Sequence, residues 1–285
     1  MQLEKFKFYK MNGLGNEFVI IDNSKKNLEI DDKLIKLLSA KSTGLGFDQI
    51  ISIDKVNKHK IDIRIWNSDT RPAQACGNAS RCIAKLFFEL RDYKIIEINT
   101  GVIKHTCKKL DDDQIIVNMG QPITYWKDIP TSHLSENTLK FDYDFDIKEL
   151  KNPNLPSLIN VGNPHIIFWL DNIEKISFQV LGPIIENHKI FPDRINVSFA
   201  QIINLNKIKL VVWERGAGLT KACGTAAAAV AYASYKLSMT NPEVSIQLPG
   251  GLLKVNIDAD DYIYKSGPAE LEYTDYYNSE NINEK

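Results

Sequence analysis

Gly15-Asn16-Glu17-Phe18-Val19-Ile20-Ile21-Asp22-Asn23 and Gly162-Asn163-Pro164-His165-Ile166-Ile167-Phe168-Trp169-Leu170-Asp171-Asn172 are two versions of one phrase. Each opens on Gly-Asn, runs through an apolar stretch and closes on Asp-Asn. The two leading glycines stand 147 positions apart. The same offset carries Trp66-Asn67 onto Trp213-Glu214, Cys76-Gly77 onto Cys223-Gly224, Gln49-Ile50 onto Asn196-Val197 and Gly120 onto Gly267. Chance supplies one or two such matches, but not a constant offset that joins Trp to Trp and Cys to Cys. A period this long excludes a solenoid. The chain therefore reads as two homologous domains, expected at 1–122 (with 267–285 returning to it) and 123–266.

Composition agrees with that reading. The 285 residues amount to about two domains at roughly 150 residues each. A hydrophobic share of 44% and a charged share of 25% suit a globular chain with a sizeable core. Lys plus Arg number 35 against 36 for Asp plus Glu, and a chain devoted to nucleic acid or an anionic membrane needs a basic excess. No apolar run approaches the roughly 18 residues that span a bilayer, and the start, Met1 to Lys7, lacks the apolar core of a signal peptide. Neither a nucleic-acid nor a membrane partner is expected, and a cytoplasmic location is. The four cysteines form no C-x-x-C and the five histidines have no metal-ligand spacing, so no metal site is expected.

Within each half, short β-branched runs alternate with one strong helix. Strands are expected at Phe18-Ile21, Ile61-Trp66, Ile95-Asn99, Ile115-Asn118, Ile208-Trp213, Val244-Leu248 and Leu252-Ile257. After Cys76 the apolar positions 79, 82, 83, 86, 87 and 90 share one helical face. After Cys223 the run from Ala226 to Tyr235 is small and apolar all round, as in a helix buried on every side. The fold class is α+β: in each half, a curled, mostly antiparallel sheet around a central helix. The Pro-punctuated stretch from Tyr125 to Pro156 reads as an irregular connection. The polar tail after Tyr273 reads as a fraying end.

The chemistry lies in the two Cys-Gly turns. Each sits between a strand and the start of a helix, where unpaired N–H groups and the helix dipole favour negative charge. A cysteine there is expected to have a lowered pKa, and the same N–H groups can hold a carboxylate. Two such thiols on opposite faces of one carbon could remove a proton on one side and return one on the other. The carbanion-like transition state places charge on the α-carboxylate, which helix N-termini can stabilise. Pyridoxal is not required by this logic. A single buried cysteine is usually an inert core residue; the matched positions favour chemistry at Cys76 and Cys223. Cys82 and Cys107 fall on Ala229 and Lys254 in the other half and read as structural.

The chain resembles the diaminopimelate epimerases. The resemblance runs from Lys10-Met11-Asn12-Gly13-Leu14-Gly15-Asn16 to about Gly267-Pro268-Ala269. It passes through Gly44-Leu45-Gly46-Phe47-Asp48-Gln49, Trp66-Asn67, Ala75-Cys76-Gly77-Asn78 and Gly162-Asn163-Pro164-His165. It continues through Phe191-Pro192-Asp193-Arg194-Ile195-Asn196-Val197, Trp213-Glu214-Arg215-Gly216-Ala217-Gly218 and Ala222-Cys223-Gly224-Thr225. The resemblance implies cofactor-independent epimerisation of LL- to meso-diaminopimelate, a small-molecule substrate in lysine and peptidoglycan precursor synthesis. It implies Cys76 and Cys223 as the acid/base pair. Gly77, Asn78, Gly224 and Thr225 would contact the reacting carboxylate, and Asn16, Gln49, Asn67, Asn163, Asn196 and Arg215 the other polar groups. His165 and Glu214 would tune the thiols, Glu214 also meeting substrate. A homodimer is left open.

Two departures stand out. Ala79-Ser80 occupies a place where the family has Gly or another small residue after the Asn, and Ser68-Asp69-Thr70-Arg71-Pro72 replaces its Ala-Asp-Gly-Ser pattern. Two alternatives remain: a proline or hydroxyproline racemase-type enzyme, whose first turn carries Cys-Gly-His, and a noncatalytic thiol-redox protein.

Overall fold

The computed structural model describes residues 5–26, 28–40, 44–73, 76–110, 114–152 and 154–277. In chain order the elements are β1 (Phe6–Asn12), β2 (Glu17–Asp22), α1 (Asp32–Ser39), β3 (Gln49–Asn57), β4 (Lys60–Asn67), α2 (Gly77–Arg91), β5 (Ile95–Asn99), β6 (Lys104–Lys109) and β7 (Ile115–Asn118). There follow β8 (Ser157–Asn160), β9 (Pro164–Trp169), α3 (Phe178–Glu186), β10 (Asn196–Asn204), β11 (Lys207–Glu214), β12 (Gly218–Thr220) and α4 (Gly224–Lys236). The chain ends with β13 (Glu243–Leu248), β14 (Gly251–Ile257), β15 (Ile263–Ser266) and β16 (Glu270–Tyr277). It divides into two compact units, Met1–Val117 with Gly267–Lys285, and Asn118–Ser266.

The duplication is visible in the strand pairing. The first unit's sheet runs β16-β1-β2-β3-β4-β5-β6-β7, and the second's β8-β9-β10-β11-β13-β14-β15. In the first, β2–β3 and β4–β5 are parallel; in the second, β9–β10 and β11–β13 are. Phe18 pairs with Gln49, and His165 with Asn196. Ile50 pairs with Trp66, and Val197 with Trp213. Adding the 147-residue offset converts each first-unit pair into its second-unit counterpart. Register is therefore repeated along with sequence, as expected where one sheet face is buried and a one-residue slip would turn every side chain over.

Each sheet curls about its long helix, giving the α+β architecture. Helix α4 packs on β8, β9, β10, β13, β14 and β15, and Ala226 to Ala231 are fully buried. Its alanines let strands approach from all sides. Helix α2 packs on β6 and β16 and buries Ala79, Cys82, Ile83, Leu86 and Phe87. Leu90 is the exception on that face, 59% exposed in the last turn, where the sheet no longer covers the helix.

Two sequence expectations need correction. The stretch from Tyr125 to Pro156 is more than a loose connection: it forms 3-10 turns at Trp126–Asp128, Thr138–Lys140 and Lys148–Leu150. It also places Ile129, Phe141 and Leu150 in the second unit's core beside Phe168 and Phe199. Isolated apolar residues lacking any period hid this. The tail does not fray from Tyr273: Thr274 to Tyr277 continue β16, antiparallel to β1, and Tyr277 stacks on Phe6. All its residues before Tyr277 are exposed, while its backbone completes the ladder with β1. The rest of the tail, 278–285, lies outside the described residues.

Candidate active site

In the first unit, three expected polar residues stand at neighbouring strand ends. Asn16 precedes β2, Gln49 begins β3 and Asn67 ends β4, and the pairing of Gln49 with Asn67 sets those two side by side. Gln49 Nε2 donates to Asn67 Oδ1 at 2.9 Å. Gln49 Oε1 and Asn16 Oδ1 are buried acceptors without a hydrogen-bond partner. Buried acceptors are seldom left so, and each is costly until a donor arrives. Cys76 follows as the N-cap of α2, in an extended conformation, and its Sγ accepts from Ala79 N at 3.4 Å. Gly77 and Asn78 open the helix as expected. Ala75, quoted with them, lies outside the described residues. Asn78 is buried, and its Oδ1 accepts from Arg81 Nη2 at 3.1 Å.

The second unit repeats the plan with different chemistry. Asn163 precedes β9, Asn196 begins β10, Glu214 ends β11 and Cys223 caps α4, with Gly224 and Thr225 opening the helix. His165 Nε2 lies 2.9 Å from Asn163 Oδ1 and 3.1 Å from Thr225 Oγ1. The amide oxygen can only accept, so Nε2 carries the proton and donates, and the buried Nδ1 is the bare nitrogen without a partner. Burial and the nearby Arg215 charge lower the His165 pKa to about 3, which keeps the ring neutral. The Thr225 hydroxyl in turn lies 3.4 Å from Cys223 Sγ. A chain of contacts thus links Asn163, His165, Thr225 and the thiol.

Here the expected lowering of thiol pKa fails. Burial, then the nearby Glu214 carboxylate, push the Cys223 thiol well above its ordinary value. The helix-start contribution is present, since Thr225 and the Ala226 N–H both favour the thiolate, but desolvation outweighs it. Burial also raises the Glu214 carboxyl, against the opposing hydrogen bonds from Thr220 and Cys223. The Thr220 hydroxyl donates to Glu214 Oε1 at 2.5 Å.

Asn196 and Arg215 are tied to one another. Asn196 Nδ2 donates to Pro164 O at 2.8 Å, and its Oδ1 accepts from Arg215 N at 3.0 Å. Arg215 Nη1 donates to Asp193 O at 3.0 Å. Asn196 thereby stitches the start of β9 to the end of β11. Cys82 and Cys107 are fully buried, and burial pushes the Cys82 thiol to about 12. Among the described residues, no group of three or more His, Cys, Asp or Glu converges as metal ligands, and no helix is long and apolar enough to cross a membrane.

Sequence reasoning passed over Arg81, Ser80, His105 and Glu186. Ser80 Oγ lies 2.9 Å from His105 Nδ1 and donates to the Cys76 carbonyl at 3.2 Å. Glu186 of α3 accepts from Trp213 Nε1 at 2.7 Å and Gly216 N at 2.8 Å, bracketing Glu214 and Arg215. The available signal for Arg81 was its place three residues after Asn78, on the same helix face. His105 and Glu186 carry no local signal.

Comparison with known proteins gives a consistent picture. The sequence model of the diaminopimelate epimerase family matches residues 8–125 and 157–272. The diaminopimelate epimerase of Zymomonas mobilis is 37% identical over 266 residues, covering 93% of this chain and 94% of that protein. That of Pelagibacter ubique is 39% identical over 265 residues, covering 92% and 95%. Among solved structures, a hydroxyproline epimerase from Agrobacterium vitis superposes with a TM-score of 0.67 at 10% identity, covering 98% of this chain and 94% of that one. A phenazine biosynthesis protein of the PhzF family from Enterococcus faecalis gives 0.67 at 12%, covering 96% and 99%. At such identities the likeness is one of fold.

Proposed function

The chain belongs to the diaminopimelate epimerase family, and on that premise we propose that it interconverts LL- and meso-2,6-diaminopimelate using Cys76 and Cys223 as its acid/base pair. One cysteine, as thiolate, takes the α-proton from one face of the carbon. The other, as thiol, delivers a proton to the opposite face. The two sulfurs exchange protonation states in each turnover, so the product state is primed for the reverse reaction. Cys223, held protonated by burial and Glu214, is the natural donor of the first turnover.

The hard part of this reaction is the carbanion. Charge leaving the α-carbon spreads onto the α-carboxylate, and the N–H groups at Gly77-Asn78 and Gly224-Thr225 are the donors that would meet it. The buried acceptors Asn16 Oδ1 and Gln49 Oε1 lack protein donors, and a substrate ammonium is a donor that would satisfy them. Asn67, Asn163, Asn196 and Arg215 complete the polar set for a substrate with an amino acid group at each end. His165 and Glu214 act on the Cys223 side, the first through Thr225 and the second by its charge.

The observation that carries this reading is the repeated placement of a cysteine at the N-cap of the buried helix in each unit. The deciding experiment is incubation with LL-diaminopimelate in heavy water. Meso product with deuterium at the α-carbon is expected from the natural chain, and neither from folded Cys76→Ala or Cys223→Ala. Near-normal turnover by either variant, or efficient racemisation of proline with diaminopimelate ignored, overturns it.

A further inference from the structure

Arg81 is the largest fully buried side chain among the described residues. A guanidinium does not give up its proton under ordinary conditions, so this is a permanent cation removed from water. Such a charge is costly unless an anion or a full set of acceptors compensates it. Nη2 donates to Asn78 Oδ1 at 3.1 Å and Nε to the Pro268 carbonyl at 3.3 Å, while Nη1 is buried without a partner. Both acceptors are neutral.

The anion-forming groups whose charge would act on Arg81 are three thiols: first Cys82 on its own helix, then Cys76 at that helix's N-cap, and last Cys107 on β6. Cys82 is held protonated by complete burial, which outweighs the opposing charge of Arg81 and, more weakly, of Lys85; Cys76 and Glu272 of β16 add to the effect of burial. Cys107 is fully buried and its thiol donates to the Ser80 carbonyl. Cys76 differs from both. It is half-exposed and caps the helix, with the Ala79 N–H donating to its sulfur.

We propose that Arg81 is a positioning residue of the first unit, its buried guanidinium serving as the counter-charge of the Cys76 thiolate while it fixes Asn78 beside that turn. The bond to Pro268 also ties the returning chain just before β16 to the reactive helix. Cys76 is then the thiolate of the resting protein and the base of the first turnover. This rests on the two-thiol reading above, but the test below needs no turnover, so the two fail separately.

Alkylation of the full-length protein by iodoacetamide is followed by peptide mapping at Cys76 from pH 5 to 10. In the natural chain the labelling midpoint should lie below the ordinary thiol value of about 8.5. Arg81→Met should raise the midpoint by at least about one unit and slow labelling at pH 7 about tenfold. The acid limb of the epimerase pH–rate profile should move upward with it. Arg81→Lys, which keeps the charge, should restore most of the shift. A folded Arg81→Met protein with the natural midpoint refutes the proposal, as does an Arg81→Lys shift as large as that of Arg81→Met. If Arg81→Met does not fold, a natural Cys76 midpoint at or above the ordinary value refutes it without any variant.

Discussion

Acid should weaken the second unit through His165 in a way that one substitution abolishes. Unfolded, this imidazole takes up a proton near pH 6.5; in the folded unit, burial first and Arg215 second lower that to about 3. Below pH 6.5 the unfolded chain therefore binds more protons than the native one. The contribution of the neutral ring is fully present above that value and is lost progressively as pH falls toward about 3. At about 1.4 kcal/mol per pH unit, moving from pH 7.5 to 5.0 removes about 2 kcal/mol. For a unit of this size that is a fall in Tm of about 4–8 °C. His165→Gln removes the titration while leaving an amide that can still donate toward Asn163 and Thr225. Trp126, Trp169 and Trp213 lie in the second unit and Trp66 in the first. A Trp66→Phe background therefore lets tryptophan fluorescence report urea unfolding of the second unit alone. Other titrating groups, His188 among them, are common to both proteins and cancel in the comparison. Equal losses for the two proteins between pH 7.5 and 5.0 would refute the assignment of a neutral, strongly desolvated His165.

Three further outcomes are expected. Gly182→Ala places a Cβ 2.4 Å from the Trp213 ring, and that ring is held by its 2.7 Å bond to Glu186. Overpacking of about 1–3 kcal/mol should exceed the roughly 0.5–1 kcal/mol gained in helix propensity, so a thermal midpoint at or above the natural one would contradict the rigidity assigned to Trp213. Thr225→Val deletes the oxygen between His165 and Cys223, and should cut kcat about tenfold, on the order of 1.5 kcal/mol, with little change in KM; unchanged kcat would mean that the hydroxyl has no part in tuning the thiol. Arg215→Met should lower kcat/KM for diaminopimelate at least about a hundredfold, ~3 kcal/mol for a charge-assisted contact left unmade, and a loss under tenfold in steady-state kinetics would remove Arg215 from substrate binding.

Much of the architecture was legible because it is written in local periods and in one long repeat. The offset that joins Trp66 to Trp213 also joins their strand partners, Ile50 and Val197, since a duplicated hydrophobic pattern enforces a duplicated register. All seven expected strands form, and the run after Cys223 is buried on every side because alanines leave it no polar face. Local pattern failed where partners lie far off in the chain. Thr274 to Tyr277 look like a solvated tail until β1, more than 260 residues earlier, pairs with them. Ile129, Phe141 and Leu150 have no period, yet each fills part of a core built by β8, β9 and β10.

The site divides along the same line. The matched Cys-Gly turns before two helices single out Cys76 and Cys223 without any structure, and the family resemblance adds Asn16, Gln49, Asn163 and Glu214. Their protonation could not be read that way. Both cysteines cap helices, and the sequence alone assigns both a lowered pKa; the folded second unit wraps Cys223 so completely, with Glu214 beside it, that desolvation reverses the sign. Arg81 reads as an ordinary charged helix residue until α2, β6 and β16 close over it. Helix capping depends on a few consecutive residues and is therefore readable in the chain. Desolvation is summed over every atom that excludes water, most of them contributed by distant segments, so only the tertiary structure sets it.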